Sequence, residues 1–207
     1  MKMPAVDLAL ILAVDVSSSI DGGDYHLQMF GIAHALRDDD VVAAIRAGKI
    51  GAIALSIIQW SSNVSQSISL DWSIIGNAAD AGSVADEVER INRQWIPGGT
   101  GLAMAIEASR HHFQSLPWPT NHRVIDISGD GQDNEGGDVN AARDNAVAEN
   151  VTINGLPIIS GSPTIEAYYS RVVIGGPNCF YIPATNINAF REAMTRKLLR
   201  EVQPIAA

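Results

Sequence analysis

The stretch Leu8-Ala9-Leu10-Ile11-Leu12-Ala13-Val14-Asp15-Val16-Ser17-Ser18-Ser19 decides the fold class. Its first part is apolar without alternation, the pattern of a strand buried on both faces, and such strands belong to parallel sheets covered by helices. Its second part is Asp-x-Ser-x-Ser, a carboxylate and two hydroxyls released where the strand ends. A loop of that form can turn all three side chains toward one point. Hard oxygen donors of this kind suit Mg²⁺, Mn²⁺ or Ca²⁺ and need neither His nor Cys.

Outward from this strand, helical and strand-like stretches alternate. Asp24 to Leu36 places Leu27, Phe30, Ile32, Ala33 and Leu36 at mostly helical spacing, with Asp21 or Asp24 to cap the start. A further turn or two runs from Asp40 to Ala47 after the Asp38-Asp39-Asp40 break. Ile50 to Trp60 is a second apolar strand. Val64 to Leu70 alternates as a half-exposed neighbour would, and the short link Ser61-Ser62-Asn63 predicts a hairpin, hence an antiparallel edge pair. Residues 83–95 form an amphipathic pattern opened by Ser83, with Asp86 three residues on. Leu102 to Phe113 reads as a helix that Pro117-Trp118-Pro119 stops. Strands at Val124–Ser128, Val151–Ile159 and Cys179–Ile182, and helices at Val139–Glu149, Thr164–Ser170 and Ile187–Val202, complete the series. The expectation is an α/β, doubly wound, mostly parallel sheet with one antiparallel edge strand and helices on both faces. No linker or internal repeat divides residues 1–207, so one domain is expected.

The 207 residues and 46% apolar content suit one packed core. A net charge of -9 argues against a nucleic-acid surface, which needs clustered Lys and Arg to displace counterions. Arg191, Arg196, Lys197 and Arg200 read as the solvated face of a last helix. The lone Cys179 excludes an internal disulfide or a thiol cluster for zinc, and its apolar neighbours suggest a buried strand thiol. No apolar stretch approaches the roughly 20 residues of a membrane helix, so no membrane insertion is expected. The start Met1-Lys2-Met3-Pro4 enters strand-like sequence at once and leaves no room for a signal peptide. A soluble chain is expected, cytoplasmic, or periplasmic or secreted if a leader has been removed.

Three polar clusters fall where strands give way to helices: Asp15-Val16-Ser17-Ser18-Ser19, Gly98-Gly99-Thr100-Gly101 and Ser128-Gly129-Asp130-Gly131. Open α/β sheets bind ligands at such strand ends. Asp15 and Asp130 supply two carboxylates, and Ser17, Ser19 and Thr100 supply three neutral oxygens. A divalent ion among them is nearly charge-balanced and keeps at least one coordination position for something else. In order and context the three clusters resemble the metal-ion-dependent adhesion site of von Willebrand factor A domains. The run from Val6-Asp7-Leu8-Ala9-Leu10 to Asp15-Val16-Ser17 is similar, further, to a bacterial branch of unknown function, the DUF1194 group. The resemblance implies a six-stranded sheet, hydroxyls ligating the metal directly, and aspartates acting partly through water. It also implies a protein partner whose Asp or Glu completes the coordination. One departure is Ser128-Gly129 before Asp130, where many members have a threonine.

Other residues invite rival readings. The loop Gly129 to Asp138 is rich in acidic and amide side chains, but it lacks EF-hand spacing and reads as a polar rim rather than an auxiliary Ca²⁺ site. Adjacent His111 and His112 point in different directions on a helix and suit surface or helix-end roles. Trp60, Trp72 and Trp118 are expected to pack on the sheet, and Trp95, just before Pro97-Gly98, is the aromatic most suited to recognition. A metal-dependent phosphoesterase on the same residues is the enzymatic alternative, with Asp15 as nucleophile or the ion activating water. It calls for a cationic group near the developing charge, and no Lys or Arg adjoins the clusters in sequence. A third alternative is a structural domain with a closed metal site. Nucleotide-binding glycine motifs and the Gly-x-Ser-x-Gly elbow are absent.

Overall fold

The computed structural model describes residues 5–94, 98–160 and 162–203. Strand β1, Leu8–Asp15, is buried along its whole length. It lies at the middle of a five-stranded sheet and is flanked in parallel by β2 (Ile53–Trp60) and β4 (Arg123–Gly129). The order β3-β2-β1-β4-β5 adds antiparallel β3 (Gln66–Ile75) at one side and parallel β5 (Val151–Pro157) at the other. The hairpin expected at Ser61-Ser62-Asn63 is the β2–β3 connection. Register shifts between Leu55 and Ile58 bulge the β3 edge.

Successive β1 side chains serve opposite layers, as the strand period requires. Leu8, Leu10, Leu12 and Val14 pack with α1 (Gly22–Leu36), α2 (Asp39–Arg46), α3 (Ala78–Arg90) and α7 (Phe190–Val202). Ala9, Ile11 and Ala13 face α4 (Leu102–His112), α5 (Val139–Ala148) and a segment made of α6 (Pro163–Tyr168) and a π-helical turn, Tyr169–Val173. The helix starts follow capping chemistry: Asp21, Asp38 and Asp138 accept backbone N–H groups at α1, α2 and α5. Helix α3 begins earlier than the Ser83 box suggested, because Asn77 accepts from the N–H groups of Ala79 and Asp80.

The sixth strand that the resemblance implied is not formed: five strands are present among the described residues. Residues 180–184 do run alongside β5. Gly155 N–H donates to Phe180 O (3.1 Å), Ile182 N–H to Gly155 O (3.0 Å), Ala184 N–H to Pro157 O (2.9 Å) and Ile159 N–H to Ala184 O (2.9 Å). A continuous parallel ladder would place the N–H of residue 157 on Ile182 O, and proline has no N–H. Pro157 therefore splits the expected strand into isolated bridges at Gly155–Tyr181 and Ile158–Ala184. Cys179 lies before them, half-buried and outside any strand, not in the buried strand expected of it.

The last helix also departs from the amphipathic reading. Lys197 is fully buried, with Nζ 3.0 Å from Asp126 Oδ2 of β4 and 2.9 Å from Glu201 Oε1. Asn154 Nδ2 donates to the same Glu201 oxygen (2.8 Å), and Lys197 Nζ stands 4.6 Å from the centre of the Phe180 ring. Burial raises the Asp126 carboxyl to about 6, with Lys197 pulling it down and Glu201 pushing it up. His112 is buried too, within 3.0 Å of Ser56 Oγ and stacked on Trp72, whereas His111 is exposed. Burial lowers the His112 pKa.

Candidate metal centre

Strand order reverses between β1 and β4, and the C-terminal ends of these two strands carry Asp15 and the loop to Asp130. This is where the crevice of an open α/β sheet lies. Leaving β1, the chain turns on the Asp15 side chain, whose Oδ1 accepts from Ser17 N–H (2.7 Å). That turn brings the Ser17 and Ser19 hydroxyls within 3.2 Å of each other. Ser19 Oγ then donates across the crevice to Asp130 Oδ1 at 2.6 Å. Asp15, Ser17, Ser19 and Asp130 thus form one connected polar cluster.

Thr100 is brought to the same cluster from α4's leading loop. A Cβ built on Gly131, the residue after Asp130, would stand 3.0 Å from Thr100 Oγ1. Thr100 is held from three directions. Its N–H donates to Asn134 Oδ1 (2.7 Å), its carbonyl accepts from Asn134 N–H (3.0 Å), and the next N–H, of Gly101, donates to Ser61 O (2.6 Å). Glycine is required at 101, because an added Cβ would meet the Ser62–Asn63 backbone at 2.7 Å.

The acidic loop after Asp130 spends its oxygens on this scaffold. Asp133 Oδ2 accepts from Ala103 N–H in the first turn of α4, a helix that lacks a cap from its own N-cap residue, Gly101. Asp133 Oδ1 accepts from the N–H groups of Glu135 and Gly137, and Glu135 Oε1 from that of Gly99. The loop frames the rim, and its carboxylates brace the Thr100 loop and the start of α4.

Sequence adjacency missed one basic residue. Arg93 Nη2 donates to the carbonyls of Val16 and Ser17 at 3.0 Å each and also to Ile20 O. A guanidinium therefore does stand against the first cluster, contrary to the expectation from sequence neighbours. It binds the backbone of the Asp15–Ile20 turn and knits it to the segment leading to Thr100, where Ser18 N–H also meets Gly98 O (3.3 Å). Only chain closure brings residues 93 and 16–20 together, so no local signal could have shown it. Trp95 lies outside the described residues.

The electrostatics single out Asp15. It is completely buried, and Oδ2 has no hydrogen-bond partner among the described residues. Burial pushes its carboxyl up to about 7, against the Ser17 hydrogen bonds and with the Asp130 charge adding to the rise. A buried ionised carboxylate with an unsatisfied oxygen is costly without a cation. No group of three or more His, Cys, Asp or Glu suited to a metal occurs among the described residues. The cluster has two carboxylates and three hydroxyls instead, a donor set of hard oxygens that fits Mg²⁺ or Mn²⁺ and disfavours a soft metal.

Comparison with solved structures places the fold. Proximal thread matrix protein 1 from the mussel byssus, in a form with a zinc-occupied MIDAS motif, matches with a TM-score of 0.67 and 15% identity over 96% of this chain and 46% of that one. The pilus adhesin SpaC from Lactobacillus rhamnosus GG, in an open conformation, gives 0.67 and 11% over 96% and 30%. A von Willebrand factor type A protein from Catenulispora acidiphila gives 0.63 and 12% over 96% and 43%. The chain spans half or less of the length of each of these proteins. At such identities the likeness establishes a von Willebrand factor A type fold. No curated protein matched. A family model described as "Protein of unknown function (DUF1194)" matches residues 5–206, and the chain belongs to that family.

Proposed function

We propose that the chain is a metal-dependent protein-binding module of the adhesion type. Ser17, Ser19 and Thr100 would hold a divalent cation, Mg²⁺ first and Mn²⁺ or Ca²⁺ as substitutes, with Asp15 and Asp130 as charge-balancing carboxylates. The observation that carries the reading is the cluster joining β1 to β4, in which Ser17, Ser19 and Asp130 are linked beside a buried Asp15 with an unpartnered oxygen. When bound, the cation would supply a Lewis-acidic position for a partner's Asp or Glu. This chain's part is to hold the ligands rigidly. Arg93 fixes the carbonyl side of the first turn, and Asn134 and Ser61 fix the Thr100 loop.

Binding is favoured over phosphoester hydrolysis on the same residues because Arg93, a basic group beside the cluster, turns its Nη2 to three backbone carbonyls of the Asp15–Ile20 turn rather than to the cluster's side-chain oxygens. The adhesin and byssus neighbours agree with a binding role. No helix among the described residues is long and apolar enough to cross a membrane.

Titration calorimetry with Mg²⁺ and Mn²⁺ tests the site. Wild type is expected to bind and Asp15→Ala to give no heat; equal binding by both proteins would reject the assignment. Capture of a partner from source cells, lost on chelation and in Thr100→Ala, tests the binding role. Metal-dependent phosphoester turnover that disappears in Asp15→Ala would move the reading to an enzyme.

A further inference from the structure

Tyr169 lies on the α4/α5 side of the sheet at the start of the π-helical turn, fully buried, and its hydroxyl has no hydrogen-bond partner among the described residues. Its ring crosses two neighbouring strands where both have glycine. A Cβ at Gly155 of β5 would stand 2.7 Å from Tyr169 Cδ1, and one at Gly129 of β4 would stand 2.9 Å from Tyr169 Oη. The same Gly129 Cβ would stand 2.8 Å from Asp15 Oδ2. One glycine thus keeps open the space shared by the phenol hydroxyl and the unpartnered carboxylate oxygen.

A buried donor and a buried acceptor, each lacking a partner and facing one gap, are complementary. A buried phenol hydroxyl without a partner is also costly, since Tyr is ordinarily buried with its O–H satisfied. π-helical turns are unusual and recur at functional sites, and this one begins on the residue in question.

We propose that Tyr169 is a positioning residue of the metal centre: its hydroxyl, unbonded among the described residues, donates to Asp15 Oδ2 across this gap when a cation is bound, and so fixes the rotation of the carboxylate whose Oδ1 is held by Ser17 N–H. This rests on the assignment of Asp15 to a metal site. With Oδ1 on Ser17 N–H and Oδ2 on Tyr169, the Asp15 carboxylate of the metal-bound protein keeps one orientation, and the tyrosine's contribution shows in cation affinity rather than in the stability of the metal-free fold. Gly129 and Gly155 are then parts of the centre, because a side chain at either would displace the tyrosine.

Tyr169→Phe keeps the ring and removes only the hydroxyl, and the test is Mg²⁺ calorimetry on wild type, Tyr169→Phe and Asp15→Ala, with thermal melts of each. The inference expects wild type to bind, Asp15→Ala not to bind, and Tyr169→Phe to bind with Kd raised about tenfold while its metal-free melting point stays near wild type. It also expects a Mg²⁺-induced tyrosine absorbance difference in wild type that is missing from Tyr169→Phe. Unchanged Mg²⁺ affinity and an unchanged difference spectrum in Tyr169→Phe, beside loss of binding in Asp15→Ala, would overturn the positioning role and leave the metal site standing. Wild type that binds no Mg²⁺ would overturn both. Gly129→Ala, which intrudes between the two oxygens, is expected to weaken binding more than Tyr169→Phe; binding equal to wild type in a folded Gly129→Ala protein would also reject the inference.

Discussion

Two clusters tied to β4 and its loop are built around a pair of carboxylates, at least one of the pair buried in each, and they solve the same electrostatic problem differently. Asp126 and Glu201 lie under the sheet with Lys197 between them, so the chain supplies its own cation. Asp15 and Asp130 lie at the C-terminal rim of β1 and β4 with hydroxyls between them. The first cluster is closed by Asn154 and Phe180 and serves to tie α7 to β4 and β5. The second opens to solvent through Ser19 and Asp130. A resident ammonium makes a fastener, whereas hydroxyls beside carboxylates leave the charge uncompensated, which is what the proposed cation would supply.

The largest expected effect falls on the fastener. Lys197→Met leaves two buried carboxylates facing each other and is expected to cost about 3–5 kcal/mol in denaturant unfolding, with Mg²⁺ affinity of the folded fraction unchanged. Replacing Asp126, Lys197 and Glu201 together with apolar residues is expected to recover most of that loss. Failure to recover it would show that the cluster does more than fasten. Asp15→Ala is expected to behave in the opposite way, abolishing Mg²⁺ binding while leaving the metal-free protein at pH 8 no less stable than wild type, because it removes an unpaired buried carboxylate. A large stability loss in metal-free Asp15→Ala would break the comparison.

Acid titration sharpens it further. The folded pKa of Asp15 is raised to about 7, and that of Asp126 is raised as well. At these two carboxylates the folded protein therefore binds more protons than the unfolded protein between roughly pH 4 and 7, which raises unfolding free energy as pH falls, whereas His112 and His122, lowered by burial, act in the opposite direction. The difference between the metal-free melting profiles of wild type and Asp15→Ala from pH 8 to pH 5 is expected to show the Asp15 part of this rise, the histidine contributions cancelling. Saturating Mg²⁺ should flatten the Asp15 part of the profile and leave the Asp126 part in place. The smallest effect belongs to the scaffold: Asn134→Ala removes one bond to Thr100 N–H and is expected to weaken Mg²⁺ binding about two- to fivefold by calorimetry.

How much of this was legible in sequence depended on whether the cause was local. The apolar run to Asp15, the hairpin after Trp60 and the three polar clusters announce themselves through neighbouring residues, and the structure gathers those clusters at one strand-order reversal. Lys197 could not be read so, since its charge and its i,i+4 partner Glu201 suit a wet helix face, and Asp126, the second charge that compensates its burial, lies far away in the chain. Arg93 and Tyr169 escaped for the same reason: Arg93 bonds the Ser17 carbonyl across the fold, and Tyr169 comes beside Asp15 only where Gly129 leaves room. The sixth strand was misread from a single atom, the N–H that Pro157 lacks.

That missing N–H has a consequence beyond strand count. An open sheet offers two rows of unpaired backbone groups, and a row that is flat and continuous is a template for strands of other molecules. Here β3 is bulged along one side, and the segment beyond β5 is interrupted at Pro157. Both margins are irregular where an incoming strand would need regular spacing. Margins of this kind discourage fibril growth and unspecific self-association.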